Sequence, residues 1–243
     1  MAISTTFKSR LKEKEHLAEG AMGFYFARPE GFQFKAGQYV DVTLIDPAET
    51  DAEGNTRSFS IASAPEDQDL LVATRMRDTA FKRVLRAGAQ GTEVSLEGPM
   101  GSFTLHNNAA KPAVFLAGGI GITPFSSIIR HAAKAGLPHH LYLFYSNRRP
   151  EDAAFMNVLT DLAKANSNFR FIPSMSEMSK SGQTWNGEVG FIDREMLARH
   201  LPSLQGPIYY VAGPPAMVTA MRQMLAAAGV DEDDIRTEEF AGY

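Results

Sequence analysis

Hydrophobic spacing in this chain changes once, near Lys111, and the two sides of that change call for different architectures. Before it, short β-forming runs at residues 5–12, 23–28, 39–45, 57–62, 70–76 and 93–97 are punctuated by Pro, Gly, Asp and Asn. Only residues 79–87 have helical spacing there, with Phe81, Val84 and Leu85 at i, i+3 and i+4. This half predicts a small antiparallel β-barrel. After Lys111, strands at 113–117, 140–145, 169–174, 208–212 and 235–240 alternate with helices at 123–135, 150–165, 193–200 and 214–228. Such alternation predicts an α/β unit, a parallel sheet with helices on both faces. The segment 105–112, with two asparagines, marks the expected boundary, giving units of residues 1–108 and 109–243. Residues 175–186 read as a long polar loop.

At 243 residues and 44% hydrophobic, the chain can bury a core in each unit. Its formal charge of −4 offers no basic surface for phosphate neutralisation, which argues against nucleic acid as a partner. With no cysteine there is no disulfide, thiolate zinc site, cysteine nucleophile or cysteine-ligated iron–sulfur cluster within the sequence. One-electron chemistry would then need an organic cofactor or another protein. The charged run around Lys8, Arg10, Lys12, Glu13, Lys14 and Glu15 does not read as an export signal, and the most apolar stretch, 112–125, is too short to span a bilayer. A cytoplasmic setting without a membrane span is expected. The six histidines lack a metal-ligand spacing, and adjacent His139 and His140 read as surface residues, so no metal site is expected.

The strongest local signal is Ala117-Gly118-Gly119-Ile120-Gly121-Ile122-Thr123-Pro124-Phe125, a glycine turn between an apolar strand and a helix. Gly119 and Gly121 would let backbone approach a diphosphate, while Thr123 as N-cap and Pro124 at the first helical position would leave the N–H groups of Ile122 and its neighbours facing an anion. Taken alone, the same turn also reads as a tight structural connection.

Three segments together decide between these: Arg57-Ser58-Phe59-Ser60-Ile61, Gly98-Pro99-Met100-Gly101-Ser102-Phe103 and the glycine turn resemble the ferredoxin–NADP reductase family over nearly the whole chain. The resemblance implies that Arg57 contacts a flavin diphosphate, that Phe59, in place of the usual tyrosine, packs on the isoalloxazine, and that the Ser60 hydroxyl approaches flavin N5, with Ser58 in the same strand. Thr74, Arg75, Met76 and Thr79 occupy the place of the family's diphosphate-binding strand and helix start. Ala212-Gly213-Pro214-Pro215 looks like the element beside the nicotinamide, at the carboxyl end of a parallel strand. Ser146 and Arg148, with Arg149 in reserve, fall in the loop that selects the nicotinamide dinucleotide, and they lean toward NADPH over NADH. The tail ending in Tyr243 resembles family tails whose last aromatic covers the flavin, alongside a frayed terminus as the other reading.

The function implied is an FAD-dependent NAD(P)H oxidoreductase with Ser60, Thr123 and Tyr243 nearest the chemistry. Electrons would pass to a separate ferredoxin, flavodoxin or oxygenase component. Two other classes stay open: the electron-input subunit of a permanent redox complex, which predicts an exposed apolar patch, and a redox-silent dinucleotide-binding module.

Overall fold

A computed structural model describes residues 5–240. Six antiparallel strands come first: β1 (Thr5–Ala18), β2 (Ala21–Ala27), β3 (Tyr39–Leu44), β4 (Thr56–Ser60), β5 (Asp69–Arg75) and β6 (Glu93–Met100), in the order β4-β3-β6-β1-β2-β5. A bridge between Ile61 and Val72 brings the exit of β4 against β5 and closes the sheet into a barrel. Inward residues include Leu11, Phe24, Phe26, Val40, Val42, Val72 and Leu96, and the helix α1 (Ala80–Ala87) plugs one end with Phe81 and Leu85. β1 runs well past residue 12. Its first half pairs with β6 and its second with β2, so the charged Glu13, Lys14 and Glu15 are exposed on both faces while their backbone stays paired. Strand pairing overrides apolar alternation there.

The remaining elements are β7 (Ala113–Gly118), α2 (Ile122–Lys134), β8 (Leu141–Asn147), α3 (Met156–Ala165), β9 (Phe169–Met175), β10 (Glu188–Val189), α4 (Arg194–His200), β11 (Ile208–Gly213), α5 (Pro215–Ala227) and β12 (Ile235–Glu239). Their six strands form a parallel sheet ordered β10-β9-β8-β7-β11-β12. The interior strands β7 and β11 are buried along their whole length, as a sheet covered on both faces requires. The chain leaves β7 toward β8 and later returns to β11 on the other side, so the crevice between the carboxyl ends of β7 and β11 is the topological switch point.

Three expectations need correction. The helix anticipated over 150–165 is broken. Residues Pro150–Asp152 make one 3-10 turn, Phe155 turns left-handed at φ 61°, and only then does α3 begin. A local grip and a tertiary tie hold that turn: Arg149 donates to Asp152 at 3.0 and 2.9 Å, and the Glu19 N–H donates to the Glu151 carbonyl at 2.8 Å, pinning the turn to the barrel. Residues 175–186 are not a free loop. Ser176 and Glu177 donate their N–H groups to the carbonyls of Asn147 and Arg148 at 3.0 and 2.8 Å, zipping the turns after β9 and β8 together. Finally, His139 is buried, its Nε2 2.8 Å from the His106 carbonyl, while His140 is exposed.

Helix α2 carries the contact between the two sheets. Ser126 and Ser127 donate to the carbonyls of Ala62 and Ser63 at 3.1 and 2.6 Å, and Arg130 and Lys134 both pair with Asp67. No helix among the described residues is long and apolar enough to cross a membrane, and no group of three His, Cys, Asp or Glu among them is placed to hold a metal ion.

Candidate functional site

On the barrel side, chemistry gathers at the start of α1. Thr79 is extended, and its hydroxyl accepts from the Lys82 N–H, the capping geometry its residue type favours. Arg57 lies with its guanidinium 5.3 Å from the Phe81 ring and donates to the carboxylates of Asp51 and Glu53 at 3.4 and 2.7 Å. Lys82 donates to the Arg75 carbonyl at 2.6 Å. Burial, with repulsion from Arg77 and Arg57, holds the Lys82 ammonium below the usual lysine range. Cations thus converge on a helix start that has no acid in its own first turn. That is an anion cradle, and it already accepts an anion, because Asp51 takes the Ala80 N–H at 2.9 Å.

The other flavin-side residues are placed unequally. Ser58 faces outward and donates to Asp41 at 2.5 Å, whereas Ser60 is buried. Phe59 belongs to the barrel core, 8% exposed, with its ring tilted at 37° to that of Phe81 and 5.9 Å from it. Thr74 donates to the Arg75 carbonyl at 3.2 Å and Met76 packs against the barrel core. Arg75 reaches toward the parallel-sheet unit. Its guanidinium crosses to the carbonyls of Glu19 and Asp152, both at 3.3 Å, and ties the barrel to the 150–152 turn.

On the parallel-sheet side, Gly119–Gly121 form a 3-10 turn that runs directly into α2. The helix starts at Ile122 with Gly121 before it, one turn element earlier than the Thr123 cap anticipated from sequence. Thr123 is therefore inside the first turn, buried, donating to the Ile120 carbonyl at 3.1 Å, and Pro124 is the third helical residue instead of the first. The glycines are spent on backbone contact. A Cβ on Gly121 would lie 2.3 Å from the Ala212 carbonyl oxygen, and one on Gly213 would lie 3.2 Å from Gly118. The turns after β7 and β11 touch at the switch point, with Pro214 capping α5 and Pro215 opening it. Ser146, one residue before the end of β8, lies in register with Gly118. Arg148 reaches out, its side chain 77% exposed and its Nε 3.9 Å from Glu177. Arg149 pairs with Asp152 and Glu19.

Against this geometry stand the comparisons with known proteins. Residues 115–223 match the oxidoreductase NAD-binding domain family. An NADH-cytochrome b5 reductase of Cryptococcus neoformans is 31% identical over 235 residues, 90% of this chain and 78% of that protein. Ferredoxin–NADP reductase B of Sorangium cellulosum is 29% identical across 99% of this chain and the whole of its own length. The chain belongs to the ferredoxin–NADP reductase family. The reductase component of a Rhodococcus jostii propane 2-monooxygenase is 30% identical over 87% of this chain, which spans only 57% of that longer protein. A solved Amycolatopsis cytochrome P450 reductase has a TM-score of 0.82 at 25% identity, over 98% of this chain and 70% of that one.

In this reductase-family chain the structure adds two residues that sequence reasoning passed over. Glu238 pairs with Ala212 across β12 and β11, beside the switch point; its Oε2 is buried without a partner, and burial pushes its carboxyl up to about 7. Phe240 donates its N–H to the Gly213 carbonyl at 3.0 Å and packs on the core under the crevice. The alternation Arg236, Glu238, Phe240 on one strand face was the available signal for both. Tyr243 lies outside the described residues.

Proposed function

We propose that this chain is an FAD-dependent NAD(P)H reductase that delivers electrons to a separate acceptor such as ferredoxin, flavodoxin or an oxygenase component, with the barrel, residues 1–108, carrying the flavin and residues 109–243 the nicotinamide dinucleotide. The observation that carries this reading is the pairing, in one family member, of a cationic cradle at a helix start in the barrel with a glycine-walled switch point in the parallel sheet. The cradle fits a diphosphate by its chemistry: a first-turn amide and the Arg57 guanidinium already hold a carboxylate there, and Arg77 and Lys82 add positive charge nearby. FAD, when bound, supplies the conversion of a hydride equivalent into single electrons.

The protein's part is to bind, orient and tune. Arg57 and the α1 amides would hold the diphosphate, with Thr79 keeping that helix start ordered. The Ser60 hydroxyl and the Thr123 region would border the reacting rings from the two sheets. Gly119, Gly121 and Ile122 on one side, and Gly213, Pro214 and Pro215 on the other, would admit the nicotinamide dinucleotide. Glu238, whose carboxyl burial raises to about 7, would stand part-ionised beside the crevice, and its carboxylate form would favour hydride departure from a nicotinamide that becomes cationic. NADPH is our lean over NADH, because Arg148 extends into solvent as a partner for a 2′-phosphate with Ser146 at its base.

Exposed Val189 and Phe191 at the β10 edge support the second reading, an electron-input subunit of a permanent redox complex. The proposal is tested by mixing the purified chain with FAD and measuring bound flavin after gel filtration. One FAD per chain is expected; a colourless chain overturns the flavin assignment. Addition of reduced nicotinamide and ferredoxin, flavodoxin or oxygenase components then separates a free reductase, which turns over alone, from a subunit active only in its complex.

A further inference from the structure

We propose that Asp51 is an internal competitor for the anion cradle at the start of α1, so that a flavin diphosphate binds by displacing this carboxylate and Asp51 sets how tightly flavin is held. The inference rests on the flavin reading above. Asp51 lies 29 residues before Ala80, in the connection between β3 and β4, yet its Oδ2 accepts the Ala80 N–H at 2.9 Å. Its Oδ1 accepts from the Glu53 N–H at 3.0 Å and from Arg57 Nη2 at 3.4 Å. A helix-start amide and a guanidinium are the donors a phosphate oxygen would take there.

Asp51 therefore stands in for the ligand in charge, position and hydrogen bonding. The Ala80 contact, helped by the Glu53 N–H and Arg57, holds its carboxyl below the usual carboxylate range, so the competitor stays charged at neutral pH. A carboxylate and a diphosphate cannot both take the Ala80 N–H, and side by side on Arg57 they repel one another. Displacement leaves Arg57 available to the diphosphate, with Arg77 and Lys82 nearby to balance the added charge.

The same contact has a second consequence: with Asp51 in place, α1 has its start amide satisfied by an acid the helix does not carry itself. Asp51 would hold α1 formed while no flavin is bound, then yield. Glu53 backs it by pairing with Arg57 at 2.7 Å, so the acids of this connection act on the donors of the cradle from one side.

The test is a flavin fluorescence titration of the full chain freed of bound flavin, comparing wild type with Asp51→Asn. Asparagine keeps an oxygen to accept the Ala80 N–H and removes the charge. FAD should bind about five- to thirtyfold more tightly to the variant, while riboflavin, which has no phosphate, should bind both proteins equally. Asp51→Ser serves as the second variant, short and uncharged, should Asp51→Asn fold poorly. Unchanged or weaker FAD binding in a folded variant, or an equal gain for riboflavin, would overturn the proposal. If wild type and both variants fail to bind FAD at all, the flavin reading itself falls.

Discussion

Arg57 is spoken for three times over: it pairs with Asp51 and Glu53, donates to the carbonyls of Glu53, Gly54 and Thr56, and lies over Phe81. Those contacts aim its guanidinium at the start of α1. Arg57→Ala removes a charge-assisted hydrogen bond worth roughly 1.5 to 3 kcal/mol and is expected to weaken FAD about ten- to a hundredfold, read by fluorescence titration; unchanged retention would place the diphosphate elsewhere. Arg148 is the opposite case, exposed with only Glu177 beside it at 3.9 Å. Arg148→Ala should raise the KM for NADPH severalfold while leaving that for NADH near its starting value, and equal effects on both would dismiss the NADPH lean. Glu238 gives a pH signature. Its carboxyl rises from 4.5 to about 7 on burial, so the unfolded chain ionises first and stability is lost as pH climbs from 4.5 through 7. Glu238→Gln should match wild type near pH 4 and be more stable above pH 7, by on the order of 3 kcal/mol at most in a denaturant titration; a parallel pair of curves would mean the carboxyl is not buried in solution.

Among the elements, the glycine turn after β7 makes the sharpest claim. A Cβ at Gly118 would meet Met217 Sδ at 2.3 Å, a side chain that can swing aside, whereas one at Gly121 would meet the Ala212 carbonyl and the Gly213 nitrogen at 2.3 and 2.7 Å, backbone that cannot. Gly121→Ala is therefore expected to lose more stability than Gly118→Ala, by about 1 to 3 kcal/mol, and to weaken NADP+ binding with it; thermal unfolding of the two variants decides. This is also where sequence and structure part company. Except for β10 and the second half of β1, periodicity placed the strands of both sheets, and the helices α1, α2, α4 and α5, close to where they lie, because burial on one or both faces writes itself into residue spacing. It could not place the start of α2 or the break before α3. Thr123 and Pro124 have the residue types of a helix start, but the 3-10 turn of Gly119–Gly121 begins the helix before them. Phe155 is left-handed at φ 61°, just after a turn that the Glu19 N–H, distant in sequence, ties to the barrel through the Glu151 carbonyl. The site divides the same way: Arg57, Thr79, Gly121 and Gly213 stand in local motifs, while Asp51 and Glu238 acquire their chemistry only through tertiary placement.

At the scale of the molecule, the two sheets are joined face to face by α2 and flanked by polar ties. The Ser126 and Ser127 hydroxyls reach the barrel carbonyls, Asp67 receives Arg130 and Lys134, and Arg75 reaches across to the 150–152 turn. The segment joining the sheets is fastened too: Phe103 packs on Phe125 and Tyr210, Thr104 accepts from Arg236 at 2.9 Å, and the buried His106 ring sits 3.1 Å from the Tyr210 hydroxyl. These contacts fix the barrel cradle and the switch point in one frame, which the proposed transfer requires, since a nicotinamide held by one sheet must meet a flavin held by the other. The measurement that bears on this most directly is an anaerobic titration of the FAD-loaded protein with NADPH and, in parallel, NADH, following the visible flavin absorbance. About one equivalent of reduced nicotinamide is expected to bleach the flavin, and an added one-electron acceptor to restore its colour. A flavin that stays oxidised with both donors would contradict the proposed transfer.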